Sequence, residues 1–371
     1  MGYIKRREKI YKWMETESLS LVMFQDNEER RDTAIRWLTG HPGDALLFLS
    51  SDKKALLVPW DINIAKLYAS CDFMTPFMDY ALDPVKALES SAERFKIPVN
   101  GKIEIPSRTS YPDFLQYVDK LSSYDIICRR DGVKSKVEQL RMIKDNEEIR
   151  IYRTLSELTN QIIDLIEQNV RDRQLKTEMD VAAFIEYEAR KRDCEGTGFT
   201  TLAAGPERSF GIHAFPSYTA APFAGTGLSI LDFGIVLHGY TSDVTMTFAG
   251  GKLSKAQEER LDLVEKAFHL ALSKVKDGVL CKNIAQSVDT FFKKSRLSMP
   301  HGLGHGIGLQ PHEPPFLRSR ADNEWKLSPG MIFTIEPGLY DPVEGGCRFE
   351  NDILLTEKGA EVLTHSKIVR L

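Results

Sequence analysis

The segment LDFGIVLHGYTSDVTMTF, residues 231–248, carries one aspartate in each of two apolar runs, Asp232 in the first and Asp243 in the second. Its pattern, with a central His-Gly pair, predicts a β-hairpin. Buried carboxylates are costly to desolvate, and two close together repel each other. Such a pair is tolerated if it shares a proton, if it binds a cation, or if both acids lie near the turn and are solvated.

A turn at His238-Gly239 fixes which residues of this hairpin face each other. It places Asp232 opposite Thr245 and Asp243 opposite Gly234. Because side chains alternate along a strand, both carboxylates then project from one face as diagonal neighbours, with Cα atoms roughly 7–8 Å apart. Glycine opposite Asp243 leaves the space between them open. The sequence therefore predicts a cup lined by two carboxylates.

The segment MPHGLGHGIGLQPHEPP, residues 299–315, contains His301, His305 and His312 and has glycine at every second position from 302 to 308. If it is extended, residues 301, 303, 305 and 307 point one way and the other face is bare backbone. That arrangement suits a histidine presented to a metal ion with chain packed closely behind it. The glycine spacing does not match GxGxxG, which excludes a dinucleotide-binding fingerprint.

A second apolar hairpin with two acids is predicted in MIFTIEPGLYDPVEGGCRFENDILLT, residues 331–356. Glu336 ends one predicted strand and Glu350 lies in the next. The turn signals Asp-Pro and Gly-Gly mark a loop at 341–346, close to midway between the two glutamates. We therefore expect them to lie opposite each other or nearly so. A solvated pair is the alternative, which the apolar neighbours disfavour.

Four carboxylates and one histidine are a poor set for a closed tetrahedral zinc site. They suit two divalent ions bridged by carboxylates, with Mn²⁺ as the first candidate and Co²⁺ or Zn²⁺ as alternatives. Two such ions activate a bridging water and polarise a carbonyl group, so the chemistry indicated is hydrolysis.

The elements that position these residues form an α/β (α+β) chain of two domains, which we place at 1–132 and 133–371. Strand and helix signals alternate over the first 130 residues. A charged stretch follows, and from Ile151 apolar residues recur at the spacing of an amphipathic helix. A second helix is predicted to start at Thr177, where TEMD fits a capping box. Beyond Gly196 the chain is rich in strand signals and glycine.

The bulk composition excludes several classes of function. The 371 residues are 42% hydrophobic and 27% charged with a net charge of −4, so we expect no nucleic acid and no membrane as partner. Five scattered cysteines without a CxxC pair argue against a disulfide framework. The first residues lack the apolar segment of a signal peptide. We therefore expect a cytoplasmic protein.

The candidate ligands occur in the order Asp232, Asp243, His305, Glu336, Glu350, within DFG, SDV, GHGIG, IEPG and RFE. This order resembles the pita-bread metallopeptidase family, which includes methionine aminopeptidase, aminopeptidase P and prolidase. RWLTG and LRMIKDNEEI resemble the aminopeptidase P and prolidase branch. The resemblance spans essentially the whole chain and implies a creatinase-like N-terminal α/β domain followed by a pita-bread catalytic domain.

The resemblance also implies a role for each ligand. Asp232 would bind one ion through both oxygens, His305 and Glu336 would hold the other, and Asp243 and Glu350 would bridge the two. A metal-bridging hydroxide would attack the scissile carbonyl, and Glu336 would also be the proton shuttle.

Further residues are assigned by the same resemblance. His213 and His312 would steady the substrate carbonyl and its developing oxyanion. Arg348 would orient the carboxylate ligands without binding metal itself. His301 would at most support the ligands in the same way and would not bind metal. The remaining histidines are expected to be structural or on the surface, namely His41, His238, His269 and His365.

The chain departs from the family pattern at three positions. Met246 stands where relatives usually carry an arginine, which removes a charge near the metal ligands. Asn351 stands where an aspartate is common. Phe316 stands where many prolidases place an arginine that grips the free carboxylate of a dipeptide, so strict dipeptide specificity is in doubt unless Arg318 or Arg320 substitutes.

The resemblance implies a dinuclear Xaa-Pro peptidase, of aminopeptidase P or prolidase type, that acts on proline-containing peptides as a homodimer. A methionine-aminopeptidase-like enzyme is an alternative, although such enzymes usually lack this N-terminal domain. A catalytically inactive binding protein on the same fold is another, although such relatives typically lose the ligands. Creatinase works without metal and lacks this ligand set, so its chemistry is disfavoured.

Overall fold

Apolar runs separated by polar turns organise the first part of the chain. The computed structural model describes residues 2–28 and 31–371 and divides into two compact units, Met1–Leu140 and Arg141–Leu371. Our proposed domain boundary, between residues 132 and 133, precedes this division by roughly one helix, Val133–Arg141.

The first unit contains a six-stranded mixed sheet. Its predicted hairpin, ALLFLSSDKKALLVPW, forms two antiparallel strands whose side chains are almost all buried, because helices cover both faces of apolar strands in such sheets. The strand order is β4-β3-β2-β1-β5-β6. The strands are β1 Leu21–Asp26, β2 Ala45–Ser50, β3 Ala55–Pro59, β4 Phe73–Met74, β5 Lys102–Glu104 and β6 Asp125–Ile127.

Five α-helices and one 3-10 helix lie entirely within the described part of this unit, and a sixth α-helix, Val133–Arg141, ends at its boundary. Asp61, Asp83 and Ser110 cap three of the helices by accepting backbone N–H groups of the first turn. The helices are α1 Gly2–Glu17, α2 Ala34–Thr39, α3 Ile62–Tyr68, α4 Pro84–Arg94 and α5 Tyr111–Lys120, with the 3-10 helix at Phe77–Tyr80.

The helices of the second unit follow the predicted amphipathic pattern. The long helix begins at a capping box formed by Asp145 and Glu148, and the predicted capping box at Thr177 is confirmed, with Asp180 as its partner. A third capping box, at Ser254, starts the helix after the first hairpin. The helices of this unit are α7 Asn146–Arg171, α8 Glu178–Lys191, α9 Lys255–Ser273 and α10 Cys281–Lys294, and α6 Val133–Arg141 precedes them at the end of the first unit.

Two larger sheets of the second unit carry the candidate site. Their strand orders are β19-β11-β8-β7 and β13-β12-β14-β17-β18, and two short hairpins extend them, β9 with β10 and β15 with β16. The strands are β7 Leu202–Ala204, β8 Gly227–Phe233, β9 Val236–Leu237, β10 Tyr240–Thr241, β11 Val244–Gly250, β12 Gly304–Gly306, β13 Glu313–Leu317, β14 Ile332–Ile335, β15 Gly338–Asp341, β16 Gly345–Arg348, β17 Asn351–Thr356, β18 Gly359–Val362 and β19 Ile368–Arg370.

Apolar side chains from these sheets pack in two clusters against the helices. One cluster joins α7 and α8 to β8 and β11, and the other joins α9 and α10 to β14 and β17. Polar residues that alternate with these apolar ones therefore project from the opposite faces of the strands. Along residues 2–28 and 31–371, no helix has the length and apolar character needed to cross a bilayer.

Candidate metal centre

The first predicted hairpin has the register that its turn requires. His238 and Gly239 have φ values of 51° and 83°, the left-handed pair of a two-residue turn that matches the twist of a hairpin. Leu237 pairs with Tyr240, and Asp232 pairs with Thr245. The predicted register is thus confirmed, and Asp243 lies two residues from Thr245 on the same side of the strand.

The second hairpin keeps one pairing register from β14 and β17 to β15 and β16, although residues 336–337 and 349–350 interrupt the strands. Ile335 pairs with Asn351 before the interruption and Gly338 pairs with Arg348 after it, so Glu336 and Glu350 face each other as expected. Two details differ from the prediction. Glu350 lies between β16 and β17, where it bridges to Thr245 of the first hairpin. The pairing of β15 with β16 leaves only residues 342–344 unpaired, a shorter loop than 341–346.

His305 is the central residue of β12, which has only three residues. The single extended face considered for residues 301–307 does not form, because the strand covers only Gly304–Gly306 and Leu303 and Ile307 pack in different apolar clusters. The register with β13 also shifts, since His305 pairs with Phe316 and Gly306 with Glu313. Close packing behind the histidine is confirmed. A Cβ atom on Gly304 would overlap the carbonyl oxygen of Thr334, and one on Gly306 would overlap the carbonyl of Pro314.

The ligand atoms of three predicted residues converge. One atom from each of Asp243, His305 and Glu350 lies within 4.8 Å of the other two, and all three residues are buried. His305 Nε2 lies 3.7 Å from Asp243 Oδ2 and 3.4 Å from Glu336 Oε1. Asp232 lines the same cavity as these four residues. All five predicted ligands therefore line one cavity, and three of them converge on one point.

Burial and mutual repulsion raise the pKa of the acids. The pKa of Asp243 is raised well above its ordinary value, first by burial and then by Glu350 and Asp232. Burial, followed by Glu350, also raises the pKa of Glu336. Burial, followed by Asp232, raises the pKa of Glu350 to about 7. Without a cation, this cluster retains protons at pH values where ordinary carboxyl groups are ionised.

The histidine ligand is held in its neutral form. Burial, followed by the neighbouring His312, lowers the pKa of His305 to about 3. The Nδ1 atom of His305 lies 3.2 Å from the carbonyl oxygen of Gly306, to which it donates when protonated. The proton then resides on Nδ1, and Nε2 presents a lone pair towards the acids.

The donor set fits divalent cations. The Oδ1 atom of Asp232 is buried and has no hydrogen-bond partner in the described structure, although its other oxygen is ion-paired. A buried carboxylate oxygen left without a partner is costly unless a cation or solvent satisfies it. A neutral imidazole and crowded carboxylates are the ligands that hard or borderline divalent ions take.

Arg348 connects the carboxylates to the wall of the site. Its side chain is 2% exposed and ion-pairs with Asp232. It also donates to the hydroxyl oxygens of Thr245 and Tyr340, at 3.0 and 2.8 Å, and to the carbonyl oxygen of Ile212 at 3.1 Å. Four such partners fix the guanidinium, so it orients Asp232 and is unavailable to a substrate.

Sequence reasoning missed Tyr340, which links His301 to this arginine. The Nδ1 atom of His301 lies 2.8 Å from the carbonyl oxygen of Gly302, so Nε2 accepts from the Tyr340 hydroxyl at 3.0 Å. Burial, followed by Arg348, lowers the pKa of His301 to about 4, which keeps the ring neutral. Tyr340 lies four residues beyond Glu336, where the predicted strand ends, so the sequence offered only a weak signal for it.

Two further residues that sequence reasoning missed contact Asp243 and Glu350, the two acids predicted to bridge the metal ions. The Thr245 hydroxyl donates to Glu350 at 2.6 Å, and strand alternation from Asp243 could have identified it. Asp352 is fully buried and accepts the backbone N–H of Asp243 at 3.3 Å. Its burial raises its pKa well above the ordinary value.

The ligands open into a cavity of about 390 Å³. His213 and His312 line it as predicted, and so do His301, Arg318 and Arg348. The rings of His305 and His312 lie 4.1 Å apart between centroids, tilted by 55°. Four remaining histidines lie outside the residues that line this cavity, namely His41, His238, His269 and His365.

The three departures from the family pattern have different surroundings. Met246 is fully buried in the cluster with α7 and α8, on the face of β11 opposite to Thr245, so no charge beside the ligands is lost there. Asn351 accepts from Thr364 and from the backbone of Ser366 and so anchors the C-terminal segment.

The departure at Phe316 is accompanied by an arginine in the cavity. The guanidinium of Arg318 lies 4.6 Å from the centre of the Phe316 ring and belongs to the cavity wall. Arg320, in contrast, is exposed and ion-paired with Asp322.

Comparisons with known proteins extend over most of the chain. The model of metallopeptidase family M24 matches residues 125–357. A peptidase of Methanocaldococcus jannaschii is 33% identical over 260 residues, 69% of this chain and 70% of that protein. The Xaa-Pro dipeptidase of Pyrococcus furiosus is 28% identical over 369 residues, 98% of each chain. The solved X-Pro aminopeptidase from Thermotoga maritima MSB8 is 25% identical, with a TM-score of 0.85 and coverage of 98% of this chain and 99% of that one.

Proposed function

The chain belongs to metallopeptidase family M24, and we propose that it is a dinuclear metal-dependent exopeptidase that hydrolyses the bond between an N-terminal residue and proline. The observation that carries this proposal is the convergence of Asp243, His305 and Glu350 on one point. The names of the P. furiosus and T. maritima relatives supply the Xaa-Pro preference.

Five residues would hold the metal, namely Asp232, Asp243, His305, Glu336 and Glu350. When bound, two divalent ions would supply an activated water as nucleophile and polarise the scissile carbonyl. Manganese is the preferred ion, because carboxylates outnumber the single histidine and there is no thiolate among the five. Cobalt and zinc are the alternatives to be compared in the same assay.

The surrounding side chains would handle the substrate and its protons. Glu336 faces the cavity beside His305 Nε2, so it is within reach of protons released or taken up there. His213 and His312 also line the cavity and would donate to the carbonyl oxygen as negative charge develops on it. Arg348 would hold Asp232 in place throughout.

Arg318 favours a short substrate with a free carboxylate near the scissile bond. It is a cavity cation that makes no ion pair with any described residue, and it faces a ring instead of an acid. Guanidinium groups bind carboxylates through two parallel hydrogen bonds. We therefore propose Xaa-Pro dipeptides as substrates. Arg318 would bind their free carboxylate in place of the arginine that many prolidases carry at the position of Phe316.

Metal removal and replacement test the proposal. Ala-Pro and Ala-Pro-Ala are assayed with the purified protein before chelation, after dialysis against a chelator, and after addition of Mn²⁺. We expect hydrolysis of Ala-Pro to disappear on chelation and to return with manganese. Hydrolysis that survives complete metal removal would refute the metal-dependent mechanism.

Two alternatives are resolved by the same preparation. Faster turnover of Met-Ala peptides than of Xaa-Pro peptides would indicate a methionine-aminopeptidase-like enzyme. A protein that binds manganese and cleaves neither would be an inactive binding protein. We further propose that the protein is cytoplasmic and forms a homodimer. Sedimentation of the purified protein tests the oligomeric state.

A further inference from the structure

The segment between β7 and β8 contains no helix or strand, yet it supplies part of the cavity wall. We call residues 205–219 the His213 loop. Ile212, His213 and Ser217 of this loop line the cavity. Long irregular segments in compact proteins are usually functional or disordered. This one must be held in place by specific contacts if His213 is to donate to a substrate.

The His213 side chain does not fix its own position. It is exposed, and no hydrogen bond or ion pair joins its ring to any residue of the described structure. Between its ends the loop is held through its backbone and Ser209. Arg348 donates to the carbonyl oxygen of Ile212 at 3.1 Å, the N–H of Ala203 donates to the carbonyl oxygen of Ser217 at 3.0 Å, and the Ser209 hydroxyl accepts the N–H of Gly346 at 3.0 Å. The location of His213 therefore depends on the backbone on either side of it.

Both ends of the loop meet at one buried carboxylate, that of Glu178 at the start of α8. Its side chain is fully buried. At the first end, Oε1 accepts the N–H of Gly205 at 2.8 Å. At the other end, Oε2 accepts the N–H and the hydroxyl of Thr219, each at 2.7 Å. Arg208 of the loop provides the counter-charge in an ion pair with Oε2.

Arg208 extends this attachment within the loop. Besides Glu178, it donates to the carbonyl oxygen of Pro216 and to the hydroxyl of Thr219 at 3.2 Å. The backbone N–H of Met179, on α8, donates to the carbonyl oxygen of Thr219 at 3.0 Å. A buried carboxylate without these donors would be strongly destabilising, so the loop and the helix require each other.

We propose that Glu178 is a positioning residue for catalysis: it fastens both ends of the His213 loop and thereby places His213 against the substrate carbonyl. This inference rests on the proposed function, because it assumes that His213 donates to a developing oxyanion. Glu178 itself lies outside the residues that line the cavity and contacts no proposed metal ligand. Its effect on the reaction passes through the loop.

The test is a double-mutant cycle with His213. In Glu178→Gln one side-chain oxygen becomes an NH₂ group, which cannot accept from Gly205 or Thr219. We expect this change to lower kcat for Ala-Pro by about 10- to 100-fold, since small misplacements of catalytic groups cost up to about 100-fold. In the His213→Ala background the same change should lower kcat by less than about 3-fold, because the group being positioned is gone.

Two readouts separate this role from general instability. Glu188→Gln on the same helix removes another buried carboxylate, which pairs with Arg192 away from the loop, and should leave kcat within about 2-fold. Manganese affinity of Glu178→Gln should match that of the unmodified protein, and KM should change less than kcat. An equal loss of kcat in both His213 backgrounds, or no loss at all, would overturn the proposal.

Amide hydrogen exchange tests the same contacts without any assay of activity. Glu178→Gln should accelerate exchange across residues 205–219, and Glu188→Gln should not. If Glu178→Gln does not fold, Thr219→Ala removes the hydroxyl donor to Glu178, together with the bonds that this hydroxyl accepts from Arg208 and from the N–H of Ala221, and should act in the same direction. Unchanged exchange in Glu178→Gln would overturn the inference. An unmodified protein that cleaves no Xaa-Pro peptide would instead refute the proposed function. The exchange measurement would then still show whether Glu178 holds the His213 loop.

Discussion

Glu350 illustrates how a proposed metal ligand destabilises the folded protein when no cation is bound. It accepts from Thr245, yet burial and the charge of Asp232 still raise its pKa from 4.5 to about 7. A raised pKa in the folded state means that the penalty is absent below pH 4.5, develops as the pH rises towards 7 and stays constant above it. A bound cation removes the penalty.

The substitution Glu350→Gln therefore has opposite effects with and without metal. In chelator at pH 8 we expect the variant to be more stable than the unmodified protein, with a difference in unfolding free energy on the order of 2 kcal/mol. At pH 4.5 the difference should vanish, and with manganese at pH 8 its sign should reverse. Urea unfolding under the three conditions measures this.

Glu361 is the control for that experiment. It is partly exposed, and the hydrogen bond from Arg153 lowers its pKa. Glu361→Gln should slightly reduce stability at pH 8 whether or not metal is present, as expected for a surface ion pair worth up to about 1 kcal/mol. Stabilisation by Glu350→Gln at every pH would contradict the electrostatic explanation.

Under the proposed function, Arg318 would bind the free carboxylate of a dipeptide substrate. Replacing it with glutamine should raise KM for Ala-Pro by about 10- to 100-fold, because a charge-assisted contact of about 1.5–3 kcal/mol is lost. Turnover of Ala-Pro-Ala, whose carboxylate lies one residue further away, should change much less. Steady-state kinetics on both peptides measures the difference.

Arg320 provides a matched arginine two residues away. Its guanidinium is exposed and already paired with Asp322. Arg320→Gln should leave both substrates unaffected. If it lowers Ala-Pro turnover as much as Arg318→Gln does, the substrate carboxylate binds elsewhere.

At the scale of the elements, the sequence predicted both hairpins because their signals are local. The turn at His238-Gly239 sets the register that places Asp232 opposite Thr245, and Gly-Gly with Asp-Pro sets that of Glu336 and Glu350. The whole-chain match to a solved relative confirms the expected fold. What failed is the extended run around His305, since a bulge depends on neighbouring strands that no local pattern reveals.

Close packing behind β12 makes Gly304 a sensitive position. A methyl group there would overlap the carbonyl oxygen of Thr334 on β14 and push the two strands apart. We expect Gly304→Ala to cost about 1–3 kcal/mol of stability and to weaken manganese binding, because His305 is the next residue. Thermal unfolding and a metal titration measure the two effects.

Gly225→Ala is the control for this element. Its Cβ would meet only Pro206 at an ordinary distance of 3.7 Å. Stability and manganese affinity should both be nearly unchanged. A Gly304→Ala variant that binds manganese as tightly as the unmodified protein would show that β12 can shift without moving His305.

At the scale of the whole molecule, contacts between segments distant along the chain could not be predicted from the sequence. Glu313 is buried with Arg141 and Lys144, some 170 positions away along the chain. This cluster lies directly beside His312 in sequence and holds its strand. Glu178 and the His213 loop are another case. From local sequence, a charged residue on an amphipathic helix is predicted to be exposed. Only the folded structure shows that Glu178 is buried and paired with residues distant in sequence.

Metal removal should loosen one of the two units and spare the other. All five proposed ligands lie in Arg141–Leu371, and none lies in Met1–Leu140. A ligand that binds only the folded state adds about 2.7 kcal/mol at 100 times its dissociation constant. Chelation should therefore accelerate amide exchange in β8, β11, β14 and β17 and leave β1, β2 and β3 unchanged, as mass spectrometry of the exchanged peptides would measure. Equal acceleration in β1–β3 would contradict a metal centre confined to the second unit.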